Sequence, residues 1–187
     1  MNLATAYKVF TASVSSGLLL IAASTPARAQ LITNPKMATL HATVTVTGGV
    51  NFTGSYDTRI MVPTCADVAR GGTRPPGNYG GPVFEVPVPM PPRGSPYGPV
   101  GGGHTFSTDV AAFPYHGPGS YTAKNLTATQ MDADTPLETQ ETHIFAFPDN
   151  IGTLTVNADA SGSFQFNGLQ DPGSVKISGQ VTWTCSS

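Results

Sequence analysis

The chain has 187 residues, of which 11% are charged and 39% hydrophobic, and its 21 Gly and 17 Pro make up about a fifth of the total, against about an eighth in ordinary usage. That composition excludes a helical bundle, a coiled coil and a charged disordered chain. The formal charge is −2. Two of the cations, Lys8 and Arg28, lie in an apparent leader, so no basic footprint for DNA or RNA exists.

Residues 1–29 read as a cleaved secretory signal peptide. Lys8 precedes an apolar run from Gly17 to Ala23, and Thr25-Pro26-Ala27-Arg28-Ala29 supplies a small-x-small cleavage site before Gln30. The apolar run is far shorter than the roughly 20 residues that a membrane anchor needs. Gln30, not a lipid-accepting Cys, stands directly after the cleavage site, and no twin arginine precedes the run. Residues 30–187 are expected to form one exported domain, secreted or periplasmic, soluble and without a membrane span. The two cysteines, Cys65 and Cys185, form an even pair bound for an oxidising compartment and are expected to make a disulfide.

Leu40, Ala42, Val44 and Val46 alternate with His41, Thr43, Thr45 and Thr47, the period of a half-buried strand. A three-residue turn, Thr47-Gly48-Gly49, pairs Val46 with Val50 and Val44 with Phe52 and keeps the apolar face whole. Residues 70–119 are rich in Pro and Gly and read as one long surface excursion, with a short edge strand from Val83 to Val88 whose Phe84, Val86 and Val88 point inward. Weak strands follow at Tyr121–Gln130 and His143–Phe147, with Phe145 and Phe147 as core side chains. The C-terminal third reads as a meander. Leu154 and Val156 face Phe166 and Phe164 across a turn at Asp159-Ala160-Ser161, with positive φ expected at Gly162. Phe166 faces Ile177 and Gly168 faces Val175 across Gln170-Asp171-Pro172-Gly173. Val175, Ile177, Val181, Trp183 and Cys185 then share one inward face. The fold class expected is all-β, an antiparallel immunoglobulin-like β-sandwich with one Pro/Gly-rich excursion, because a buried Trp beside a disulfide suits such a core.

The local signatures of catalysis are absent. No serine has glycine two residues before and after it, there is no His-Glu-x-x-His helix, and no glycine loop leads into Lys-Ser/Thr. The chain is therefore expected not to be an enzyme and to need no cofactor, although a triad assembled from distant positions is invisible to such a search. His41, His104, His116 and His143, with Asp109, Asp132 and Asp134, are the possible metal ligands, but their spacing matches no ligand ladder. Asp132-Ala133-Asp134 begins like a calcium loop, yet Leu137 stands where its glycine belongs and His143 where its glutamate belongs. No metal site is assigned.

The aromatic residues of the excursion, Tyr79, Tyr97, Phe106, Phe113 and Tyr115, are the candidate ligand contacts. Rigid rings on a proline-held loop give contact area at low entropy cost, which suits a carbohydrate or another envelope protein. Two alternatives stand beside this binding module. One is a structural or assembly subunit that pairs through an edge strand, either the proline-bearing Val83–Val88 or the Thr-rich Leu40–Thr47. The other is a metal-dependent or hydrolytic enzyme.

Gly162-Ser163-Phe164, Leu169 and Ile177-Ser178-Gly179-Gln180-Val181-Thr182-Trp183-Thr184-Cys185 resemble the terminal strands of small exported bacterial β-sandwich proteins, such as the mycobacterial lipoprotein antigens of the LpqH type. The resemblance covers about 25 residues of strand-and-turn pattern. It implies a non-enzymatic envelope protein. The chain departs from those antigens by lacking a lipid-accepting cysteine and by carrying the excursion.

Overall fold

The long alternating runs, Leu40–Thr47 and Ile177–Cys185, become strands, whereas among the described residues Val83–Val88 is strand only at Phe84–Glu85 and Tyr121–Gln130 only at Tyr121, Leu126, Thr127 and Gln130. A computed structural model of the chain describes residues 36–74, 81–93, 98–128, 130–133, 144–146 and 152–187, and the compact unit that holds them runs from Asn34 to Ser187. The leader lies outside the described residues. In chain order the elements are β1 (Thr39–Gly48), β2 (Phe52–Arg59), helix α1 (Cys65–Gly71), β3 (Phe84–Glu85), β4 (Gly98–Gly101), β5 (His104–Thr108) and β6 (Ala111–Ala112). They continue with β7 (Gly119–Tyr121), β8 (Leu126–Thr127), β9 (Gln130–Ala133), β10 (Ile144–Ala146), β11 (Thr153–Val156), β12 (Gly162–Gln170) and β13 (Lys176–Ser186).

The protein is all-β, and its strands pair antiparallel. Among the described residues, the large sheet runs β2-β1-β13-β12-β10-β9-β5-β4, with β11 and β7 branching from β12, and β3-β6-β8 form a second sheet. The path folds over itself. Phe52 of β2 stacks on His104 at 4.8 Å between ring centroids, and Tyr56 stacks on Phe106 at 6.3 Å. Between those contacts the backbone of β4 presses on Gly54, where a Cβ would fall 2.1 Å from the Val100 carbonyl oxygen. The inner faces enclose Leu40, Val44, Val46, Phe106, Leu154, Phe164 and Val181, all at most 1% exposed.

Face parity follows the sequence reading, and strand register does not. Val46 pairs with Phe52 and Val44 with Gly54, a slip of two residues that leaves the apolar face intact. The cause is Asn51, whose amide donates to the Gly48 carbonyl at 2.8 Å and accepts from the Gly48 N–H at 3.1 Å, closing a wider turn. Leu154 likewise pairs with Phe164 and Val156 with Gly162. The residue with positive φ in that turn is Ala160, at 63°, rather than Gly162. Leu169, not Phe166, faces Ile177, because a bulge between Phe166 and Leu169 shifts the ladder and Gly168 takes φ 66°. Asp171 closes the last turn by accepting from the Val175 N–H at 2.7 Å.

The excursion is corrected as well. The described parts of residues 70–119 carry β3, β4, β5, β6 and the start of β7. They are packed: Phe84, Val86, Val100, Phe106, Val110 and Ala112 are at most 2% exposed. Phe84 and Val86 point inward as expected, whereas the side chains of Phe145 and Phe147 lie outside the described residues. Helix α1 was not expected from hydrophobic periodicity. It is started by Thr64, whose hydroxyl accepts from the Asp67 N–H at 3.1 Å and donates to the Asp67 carboxylate at 2.6 Å.

The expected disulfide is present. Cys65, at the start of α1, is bonded to Cys185 in β13 across 120 residues, with the Cα atoms 5.9 Å apart. Closing a loop of that length restricts the unfolded chain by about 5 kcal/mol in the chain-entropy account. Replacing both cysteines with alanine is expected to lower the denaturant-extrapolated unfolding free energy by about that amount. Equal unfolding midpoints for the two proteins would show that the bridge does not stabilise the fold.

Candidate functional site

Two of the candidate contact aromatics are core residues. Phe106 is 1% exposed and Tyr115 2%. Tyr115 lies between Phe84 and Tyr121, with ring centroids at 5.2 and 5.5 Å, and its hydroxyl donates to the Ala69 carbonyl of α1 at 2.7 Å. Burial holds that phenol well above its ordinary range, with Tyr121 adding to the effect. Phe113 is half-buried and lines a small recess of about 220 Å³ with Val83, Glu85, Asp109, Ala111 and Thr127. Tyr79 and Tyr97 lie outside the described residues. Phe106 and Tyr115 therefore fasten the Pro/Gly-rich segment to the sheets and are not open to a ligand. Tyr115→Phe leaves the buried Ala69 carbonyl without its donor and is expected to cost about 1–3 kcal/mol by urea unfolding; an unchanged midpoint would refute the fastening role of the hydroxyl.

The titratable candidates are dispersed. Among the described residues no three His, Cys, Asp or Glu side chains gather into a metal-holding group. His104 stacks on Phe52, His116 is exposed, and Asp134 and His143 lie outside the described residues. Asp132 of β9 is 4% exposed and its Oδ1 has no hydrogen-bond partner. Burial, and then the neighbouring Asp109 charge, push its carboxyl above the usual range. A carboxyl whose folded pKa is raised holds its proton longer in the native state, so its contribution falls as pH rises from the unfolded value of about 3.9 through the folded one. Asp132→Asn is accordingly expected to raise the melting temperature at pH 7 and to change it little at pH 3.5; an equal shift at both pH values would contradict this.

What the sheet presents outward is an ordered polar surface. On β1, β2, β11, β12 and β13 the apolar residues face inward, and the outward positions carry mainly Ser, Thr, Gln and Asn. The pairing registers align them into rows across the strands. One row runs Thr53, Thr45, Gln180, Gln165, Thr153. The next runs Ser55, Thr43, Thr182, Ser163, Thr155, Ser120. Hydroxyls meet along these rows, Thr43 with Ser55 at 3.0 Å, Thr53 with Thr45 at 3.3 Å and Ser120 with Thr155 at 3.3 Å. β-branched Thr suits the pleat, so strand formation and surface hydroxyls come from the same residues.

The first row crosses a shallow groove of about 530 Å³ whose walls include Thr45, Thr153, Gln165, Asn167 and Gln180. The Phe166–Leu169 bulge shapes one end, where Ser178 donates to the Asn167 side chain at 2.6 Å and accepts from the Gly168 N–H at 3.0 Å. Gln165 and Gln180 are exposed, and among the described residues neither amide has a side-chain partner. Each offers two donors and an acceptor without net charge. Sequence reading missed these residues because exposed Thr and Gln on a strand carry no local signature; only the register places them in one row.

The chain matches no family model, no curated protein and no solved structure. No helix among the described residues is long and apolar enough to cross a membrane.

Proposed function

We propose that this is an exported binding protein that recognises a neutral, hydroxyl-rich polymer, a polysaccharide of the cell envelope or its surroundings, on the outward face of the large sheet. The observation that carries the reading is the pair Gln165 and Gln180, whose amides have no side-chain partner among the described residues, set between Thr45 and Thr153 in the cross-strand row that crosses the groove. Amides and hydroxyls that both donate and accept match sugar hydroxyls, and a face with few charges neither attracts nor repels a neutral chain. The ligand class is the one expected from the sequence, but the surface differs, because Phe106 and Tyr115 are buried. The signal-like leader and the Cys65–Cys185 bridge support the extracytoplasmic setting.

The test is depletion of the purified protein from solution by insoluble cellulose, chitin, mannan and β-glucan, beside Gln180→Lys. Retention on one matrix, weakened at least tenfold by Gln180→Lys with an unchanged melting temperature, is the expected result. An exposed substitution of this kind alters stability by about 0.5 kcal/mol or less. Retention that Gln180→Lys leaves intact would place the binding surface elsewhere, and depletion by none of the matrices would reject the polysaccharide reading.

A further inference from the structure

At one corner of the same face, three neighbouring strands bring together a carboxylate, an imidazole and a hydroxyl. Asp57 of β2 and Thr184 of β13 pair on either side of His41 of β1, and Ser186 pairs with Thr39 one step along. His41 Nδ1 lies 2.7 Å from Asp57 Oδ1, and His41 Nε2 lies 2.8 Å from Ser186 Oγ. The order is that of a nucleophile, a base and the group that orients the base, each within hydrogen-bond reach of the next. We propose that Ser186 is a nucleophile activated by His41 and Asp57, and that it accepts acyl groups from esters carried on a large or surface-borne substrate. The proposal does not rest on polysaccharide binding.

The parts are held by regular structure. All three side chains stand on paired strands, which fix geometry better than loops do. Cys185, next to Ser186, is bonded to Cys65 of α1, so the strand end that carries the hydroxyl is tied down. In the tautomer whose Nδ1–H donates to Asp57, Nε2 accepts from the Ser186 hydroxyl, the arrangement that general-base work requires. Thr39, across from Ser186, and Thr184, two residues before it on the same face, are hydroxyl donors without a side-chain partner among the described residues. Strand pairing thus sets both hydroxyls beside Ser186 on the same face.

The reaction balances without a redox partner. As the Ser186 Oγ bonds to the ester carbonyl carbon, its proton passes to His41 Nε2; the bond from that carbon to the leaving oxygen breaks, and the alcohol departs with the proton. Water repeats the steps to release the carboxylic acid and restore Ser186. The corner is open: His41 and Asp57 have side chains 47% and 66% exposed. An open corner reaches an ester on a polymer or surface, and it works slowly beside an enclosed site because water screens its charges.

The experiment treats the purified protein with a fluorophosphonate, followed by intact mass and peptide mapping, and in parallel measures release of p-nitrophenol from p-nitrophenyl acetate. We expect one adduct, on Ser186, that is lost in Ser186→Ala and forms at least tenfold more slowly in His41→Gln and Asp57→Asn, with ester hydrolysis falling in the same order. Melting temperatures within about 2 °C of the parent confirm that these exposed changes leave the fold intact. No adduct, an adduct spread over other exposed serines such as Ser55, or labelling unchanged by His41→Gln would overturn the proposal and leave the three groups as a cross-strand hydrogen-bond chain.

Discussion

The packing of this protein turns on Trp183. Its indole N–H donates to the Ala160 carbonyl at 2.9 Å, which holds the β11–β12 turn in the left-handed conformation at Ala160. The same ring lies over Gly162, where a Cβ would come within 2.4 Å of it, so the strand that pairs with Trp183 must carry glycine there. Its other side meets Phe84 at 5.8 Å, and Phe84 continues to Tyr115 and Tyr121. One buried aromatic chain therefore links the large sheet, the small sheet and β7. Large rings bury enough surface for such a chain to dominate the packing of a small domain.

How much of this was legible in the sequence depends on the range of the physics involved. The inward sets Leu40-Ala42-Val44-Val46 and Ile177-Val181-Trp183 were readable because a strand alternates with period two whatever its partner is. Register was not, since side chains in the turns decide it: Asn51 widens one hairpin, Asp171 closes another, and the Phe166–Leu169 bulge adds a further shift. The Pro/Gly-rich segment read as a loop because strands of two to five residues, such as Ala111–Ala112, are too short to show alternation. Helix α1 was likewise too short for a helical period, although Thr64 and Asp67 stood at capping distance.

The candidate sites divide along the same line. An aromatic residue among prolines and glycines carries no information on which way its ring will turn, and Phe106 and Tyr115 turned inward. The hydroxyl rows were legible strand by strand and invisible as rows. The sequence offers His41 as a possible ligand, but only the placement of β2 and β13 on either side of β1 joins Asp57 and Ser186 to it. A structure of paired strands hides its surface chemistry from any reading confined to neighbours in sequence.

The placement of β1 between β2 and β13 also orders events in time. The hydrogen bond between Ser186 and His41 spans 145 positions, and every β1–β13 pair closes a comparable stretch of chain. The β11–β12–β13 meander is local and can zip early, whereas the β1–β2 hairpin must wait for its central neighbour to be delivered last. Such contact order slows folding and leaves an apolar, half-paired hairpin open to other chains in the interval. A chain made N-terminus first thus carries its most adhesive surface ahead of the strand that covers it, and β1 and β2 stay uncovered until β13 arrives.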